Sequence, residues 1–180
     1  MQLETSKLIL REYSAHDLAA ILAYQTHPAY LRYYPWSRRT RSQVESFLHQ
    51  LIEWQTAQPR LKFQLAVELK ETRELIGSCG LRKSQDTSFE GELGYEIDPH
   101  YWGLGYATEA VETMVKFGFD TLQLHRVFAS VIANNIGSRR VLEKLGFTYE
   151  GQLRENQRFK DRWWDTALFG LLKHEWDKIL

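Results

Sequence analysis

Tyr101-Trp102-Gly103-Leu104-Gly105-Tyr106-Ala107-Thr108-Glu109-Ala110 is the stretch on which the reading of this chain turns. Two glycines and an alanine permit a tight backbone turn, and Ala107 to Val111 read as the opening turns of a helix. Such a turn aims several free backbone N–H groups at one point, and the positive end of the helix dipole adds to them. A phosphate or pyrophosphate is the expected occupant. The same ten residues also fit a plain turn ahead of a helix, so the surrounding chain has to decide.

Just upstream, Gly91 to Pro99 alternates. Leu93, Tyr95 and Ile97 share one face and Glu92, Gly94 and Glu96 the other, and Pro99 ends the strand before the glycine turn. Downstream, Ala107, Ala110, Val111, Met114 and Phe117 fall at helical spacing, which gives a helix from about Tyr106 to Leu122. Val127 to Ala133 is a strand, and Asn134-Asn135-Ile136-Gly137-Ser138 is a loop rich in capping residues. Arg139 to Leu145 is a short helix closed by Gly146. Phe147 to Leu153 and Trp164 to Leu172 complete the chain as a hairpin.

Toward the N-terminus, Leu8 to Leu10 is a short strand, and Ser14 with Asp17 forms a capping signature for a helix over 15 to 26. Pro35 breaks the aromatic segment Tyr30 to Trp36, which suits either a core-covering loop or a pocket wall. Ser42 with Glu45 predicts a second helix to about residue 57. Phe63 to Leu69 and Glu74 to Arg82 are strands joined by a turn at Thr72 and Arg73.

With 180 residues and no linker, repeat or low-complexity tract, a single domain over 1–180 is expected. Lys plus Arg and Asp plus Glu are 23 each. No global basic field exists to hold nucleic acid or an anionic membrane, so neither is expected as a partner; Arg38, Arg39 and Arg41 form a local patch or a solvated loop. The single Cys79 can make no internal disulfide, and the N-terminus lacks the regions of a signal peptide. A reducing, cytoplasmic location is the expectation. Cys79 reads as a buried strand residue rather than a nucleophile. Six scattered histidines lack ligand spacing, so no metal is expected.

Two familiar glycine motifs fail. A dinucleotide fingerprint needs glycine where Thr108 stands and a preceding strand apolar on both faces, and the triphosphate loop needs Gly-Lys-Ser/Thr. What remains is an antiparallel meander, a glycine turn and helix, a strand, a short Asn-capped helix and a hairpin. Leu8-Ile9-Leu10-Arg11 with Asp17-Leu18, Ile76-Gly77, Gly80-Leu81 and Gly91-Glu92-Leu93-Gly94-Tyr95 stand in this order with the glycine turn, Asn135 to Phe147, and Trp164-Asp165. Over essentially the whole chain this resembles the GNAT superfamily of N-acetyltransferases, in the branch of the ribosomal-protein N-terminal acetyltransferases RimJ and RimL.

The resemblance implies a mixed α/β (α+β) fold whose mostly antiparallel central sheet is splayed, with helices on both faces. It implies acetyl-CoA as donor, its pyrophosphate on the amides of Gly103, Leu104, Gly105, Tyr106, Ala107 and Thr108, and its pantetheine paired with the backbone of Ile97 and Asp98. Trp102 stands where most of the superfamily has Gln or Arg. Because backbone amides do the binding, that departure matters little. An α-amine is easier to deprotonate than Lys. Glu92 is the first choice of base and Glu96, on the same face, the second; a solvent-facing strand Glu is the plainer alternative for Glu92.

Many relatives place a Tyr in the short helix where this chain has Leu142, which leaves Ser138 as donor to the leaving thiolate or as a helix cap. Asn135 contacts pantetheine, caps the helix, or does both. Tyr33, Trp36 and Arg38 are candidate substrate contacts, with the loop from Arg154 to Trp163 also shaping the acceptor site. The acceptor is a primary amine, with a protein N-terminus leading, a small-molecule amine as rival, and a non-catalytic CoA-binding module as the alternative of another class. Relatives are often monomers or dimers, so a monomer or homodimer is expected.

Overall fold

The computed structural model describes residues 1–178. Eight strands form one sheet: β1 (Gln2–Glu4), β2 (Leu8–Arg11), β3 (Lys62–Leu69), β4 (Leu75–Arg82), β5 (Glu90–Ile97), β6 (Arg126–Ile132), β7 (Thr148–Phe159) and β8 (Arg162–Leu172). Their order is β1-β2-β3-β4-β5-β6-β8-β7. Every neighbouring pair is antiparallel except β5 and β6, which are parallel. A parallel pair needs a crossover, and α4 (Tyr106–Asp120) supplies it.

Helices lie on both faces, as expected. On one face, α4 and α5 (Ile136–Lys144) pack with Leu65, Val67, Ile76, Leu81, Leu93 and Phe169. On the other, α1 (Leu18–Gln25), α2 (Pro28–Leu31) and α3 (Arg41–Thr56) bury Tyr13, Ile21, Tyr24, Leu48 and Leu51 against Ala66 and Leu75. A last short helix, α6 (Lys173–Trp176), buries Trp176 beside Phe119.

Several boundaries move for local reasons. The capping box at Ser14 and Asp17 is present, but Ala15–Asp17 is a 3-10 turn that leads into α1. The cap of α3 is Thr40 with Gln43, two residues ahead of the expected Ser42 and Glu45. Helix α5 starts at Ile136, three residues early, because Asn135 caps it. Within Tyr30–Trp36, expected to be non-helical, α2 extends to Leu31 because His27 accepts from the Ala29 N–H and Pro28 fits the first turn. The expected loop Arg154–Trp163 is mostly strand, closed by Lys160 and Asp161 at φ 51 and 54. That pair of positive φ values matches the twist of the hairpin it joins. β7 loses register between Leu153 and Gln157, where Asp165 accepts from the Gln152 side chain and, at 2.7 Å, from the Glu155 N–H.

In β3, Gln64, Ala66 and Glu68 are all buried. A buried carboxylate needs partners. Glu68 finds Arg11 Nε at 2.6 Å and Arg73 Nε at 2.6 Å, while the other side of the Arg11 fork holds Asp17 at 2.8 and 2.9 Å. Burial alone would raise the Asp17 pKa, but the hydrogen bonds from Arg11 and Ser14 outweigh it and the net shift is downward from 3.8. A lowered folded-state pKa stabilises the fold above the unfolded value and ceases to do so as pH falls through the folded one. Asp17→Asn is therefore expected to cost about 2 kcal/mol in urea unfolding near pH 7. The gap to wild type should narrow at about pH 3, near or below the unfolded carboxylate value. A gap independent of pH would contradict this ion pair's role.

Candidate active site

β5 and β6 are joined by three residue pairs only: Glu90 with Arg126, Gly91 with Val127 and Glu92 with Phe128. Beyond these, β5 continues on β4 as far as Ile97, and β6 continues on β8 as far as Ile132. The sheet is thus two half-sheets joined at one end. The Asp98 N–H donates to Ile76 O at 2.7 Å, so even-numbered residues of this strand turn their backbone groups toward β4. Leu93, Tyr95 and Ile97 turn theirs into the gap. Of the edge expected at Ile97 and Asp98, the Asp98 amide is therefore engaged on β4. The Ile97 carbonyl accepts from Trp102 Nε1 at 2.7 Å. The Leu93 N–H is used in the Glu92–Phe128 pairing, which leaves the Leu93 carbonyl, both groups of Tyr95 and the Ile97 N–H facing the gap.

Trp102 is followed by the glycine turn. Gly103 and Gly105 have φ of 78 and 87, a region that costs other residues strain, and a Cβ built on either meets nothing within 4 Å. The backbone conformation, not any lack of room, therefore favours glycine here. Gly105 is the N-cap of α4, and the first bond back onto it comes from Glu109 N–H at 3.1 Å. The amides of Tyr106, Ala107 and Thr108 precede that bond and have no intrahelical acceptor. Glu109, the one acid of this first turn, points away: its carboxylate takes hydrogen bonds from the Thr5 and Ser6 hydroxyls and, at 2.9 Å, from the Lys7 N–H. The Glu109 carboxylate is thereby engaged on the residues before β2 and not on the amides of its own first turn.

Glu92 and Glu96 rise from the same face of β5 into different surroundings. The Glu92 side chain is 42% exposed, with Arg82 Nη1 at 3.9 Å. Glu96 accepts from Tyr24 Oη at 2.7 Å and Gln25 Nε2 at 2.9 Å on one oxygen, and from Tyr30 Oη at 2.6 Å and Tyr34 Oη at 3.1 Å on the other. A carboxylate has about four lone-pair sites, and here four donors face them. Burial first, and then the charge of Glu96, pushes all three phenols well above their ordinary pKa, so they remain donors at neutral pH. Glu96 thereby anchors α1 and α2 to the sheet.

Ser138 does not cap α5. Asn135 does, its Oδ1 accepting from Ser138 N–H at 3.2 Å. The Ser138 hydroxyl lies 2.8 Å from Tyr95 Oη, which also donates to Ser138 O at 2.8 Å. A phenol has one proton, so while it is given to the carbonyl the hydroxyl contact is donated by Ser138. Burial pushes Tyr95 upward, only partly offset by Ser138. Sequence reading missed Tyr95 because it alternates with Leu93 and Ile97 like any core residue and its partner lies on a distant helix.

The segment from α2 to Trp36 bridges the gap. Tyr33 Oη donates to Asn134 O at 3.0 Å, its ring meets Trp164 edge-on, and Lys160 Nζ reaches Leu31 O at 2.6 Å. Trp36 stacks on Tyr34 at 5.0 Å, and Arg38 is exposed. Cys79 is fully buried and its thiol is pushed up by burial, which leaves it in the core and unsuited to attack. Among the described residues no cluster of His, Cys, Asp and Glu could hold a metal, and no helix is long and apolar enough to cross a membrane. Glu96→Ala is expected to strand four donors and cost about 3 kcal/mol in thermal unfolding, against about 1 for Glu96→Gln, which keeps an acceptor. An alanine variant as stable as wild type would contradict the anchoring role.

Comparison with known proteins agrees with this geometry. The Acetyltransferase (GNAT) domain family matches residues 7–148. An uncharacterized N-acetyltransferase, p20 of Bacillus licheniformis, is 32% identical over 175 residues, 97% of each chain. Ribosomal-protein-S5-alanine acetyltransferase from Vibrio fischeri superposes with a TM-score of 0.83 at 25% identity over 98% of both chains. Spermidine N-acetyltransferase from Vibrio cholerae, solved with CoA and spermine, gives 0.81 at 22% identity over 96% of this chain and 99% of its own. The family match covers well over half of the sequence, and the chain belongs to the GNAT acetyltransferases.

Proposed function

We propose that this chain transfers the acetyl group of acetyl-CoA to a protein N-terminal α-amine. The observation that carries the donor half is the gap between β5 and β6, opening beside the unpaired amides at the start of α4. The diphosphate of the donor lies on the turn from Gly103 to Thr108. Pantetheine adds to β5 as a short strand through the Leu93 carbonyl, Tyr95 and the Ile97 N–H. Trp102 steadies the Ile97 carbonyl at the end of that edge.

In this reading Glu92 is the base. It stands at the last residue pair before the strands part, half-exposed and with lone pairs free, whereas Glu96 has its acceptor sites filled. Glu92 takes a proton from the amine, directly or through water, as nitrogen bonds to the thioester carbon. The carbon–sulfur bond then breaks, and the CoA thiolate leaves. Ser138 turns its hydroxyl proton from Tyr95 to the departing sulfur, while Tyr95 turns its own from the Ser138 carbonyl to Ser138 Oγ. Two rotations thus stabilise the leaving group without ionising either hydroxyl, and the proton held by Glu92 then passes through solvent to the released thiolate, which restores the carboxylate.

A protein N-terminus is favoured on the acceptor side by the pKa of α-amines, nearer neutrality than that of Lys. A second support is the aromatic segment Tyr30 to Trp36, which offers a long wall beside the gap. Tyr33, Trp36 and Arg38 are the substrate contacts in this reading, and a small-molecule amine is the rival acceptor. We propose further that residues 1–180 act as one domain.

Gly105→Glu is expected to cost about 1–2 kcal/mol in backbone strain without unfolding the chain, and to abolish CoA binding in calorimetry, because it sets bulk and negative charge where the diphosphate lies. Unchanged affinity would refute the site. Glu92→Gln should lower kcat by about 10²-fold or more with acetyl-CoA affinity held, as for loss of a general base. Full activity at neutral pH would rule Glu92 out. Tyr95→Phe, which keeps the ring and removes the relay, should slow turnover by about tenfold and leave KM for the amine unchanged. Equal turnover of the two proteins would remove Tyr95 from the mechanism.

A further inference from the structure

Beside the aromatic segment, a recess of about 400 Å³ opens between Trp36, Arg39 and the N-terminal half of α3, where Ser42, Gln43 and Ser46 line it. Two of its donors, Trp36 Nε1 and Arg39 Nε, are buried and have no acceptor among the described residues. The Arg39 guanidinium lies over the Trp36 ring at 4.6 Å and the Phe47 ring at 5.4 Å. Those contacts fix its plane and leave its N–H groups to something else. No carboxylate within ion-pair distance serves it among the described residues: Glu45, the nearest acid along the chain, is taken by Arg41 at 2.8 Å. From Arg32 to Arg41 the sequence holds four arginines and no acid, in a chain whose formal net charge is zero.

This recess is rigidly tied to the reaction face. Trp36 stacks on Tyr34 at 5.0 Å, Tyr34 on Tyr30 at 4.6 Å, and both phenols bond to Glu96 on β5. One stacked ring, Tyr34, separates Trp36 at the recess from Glu96 on β5, a separation of about 10 Å that roughly three or more extended residues span.

We infer that the recess is a subsite for a carboxylate side chain of the acceptor, an Asp or Glu three to five residues along a peptide whose N-terminal amine lies at the gap. This rests on the peptide reading of the acceptor given above. Planar donors in a fixed arrangement suit a carboxylate, and the local positive charge disfavours a polyamine or a Lys-rich chain.

The test is acetylation of octapeptides that share their first two residues and carry Glu, Gln or Lys at positions 3 to 5, followed by thiol release from acetyl-CoA. Wild type is expected to favour the Glu peptides over the Gln peptides by about tenfold in kcat/KM, through KM. Arg39→Gln should bring that ratio to about one while kcat on Gln peptides holds, and Arg41→Gln should keep the preference. Calorimetry with the N-acetylated Glu peptide reads the same subsite without turnover, and Arg39→Gln should weaken that binding by about tenfold. Peptides turned over with no preference for Glu, or a preference that survives in Arg39→Gln, would overturn this subsite alone. Turnover of small amines with none of any peptide would overturn the peptide reading and the subsite with it.

Discussion

The parting of β5 from β6 is the constraint on which the rest of this structure depends. Three residue pairs join the two half-sheets, and past Glu92 and Phe128 each strand keeps a single neighbour. An open edge inside a sheet is costly unless its N–H and C=O groups find partners or a ligand. Here the strand after the split leads directly into Pro99 and the glycine turn, so the unpaired edge and the unpaired helix amides lie one after the other along the chain. In the proposed function, one extended molecule with a diphosphate at one end would satisfy both. The same geometry explains why the acid of the first helical turn, Glu109, is drawn off to Thr5, Ser6 and Lys7.

A split sheet needs ties across it, and these are polar and long-range. Tyr95 reaches Ser138 from β5 to α5, Tyr33 reaches the Asn134 carbonyl, and Lys160 reaches Leu31 from the hairpin. Glu96 gathers four donors from α1, α2 and the residues that follow. Groups that resemble catalytic candidates in the sequence thus divide in the fold. Glu96 holds elements together, Asn135 caps a helix, and Glu92 keeps open lone pairs at the point where the strands separate.

Local signals carried much of this in the sequence. The alternation of β5, the helical spacing after Gly105, Gly146 closing α5 and the Ser14–Asp17 box depend on neighbours a few residues away, and all appear where expected. What escaped notice depends on distant partners. Tyr95 looks like core because Ser138 is far along the chain, and Glu68 looks exposed because Arg11 and Arg73 are contributed by other strands and turns. Of Ile97 and Asp98, only the pairing of the Asp98 N–H with Ile76 O reveals which amide faces the gap. The short α2 was hidden by its length, held as it is by a His27 cap and by tyrosines on Glu96.

The most direct measurement of the central claim is a crystal structure of the protein with acetyl-CoA. The account predicts the diphosphate on the amides from Leu104 to Thr108 and pantetheine hydrogen-bonded along Leu93 to Ile97 between β5 and β6. Acetyl-CoA bound elsewhere, with the gap and the helix amides unliganded, would contradict it.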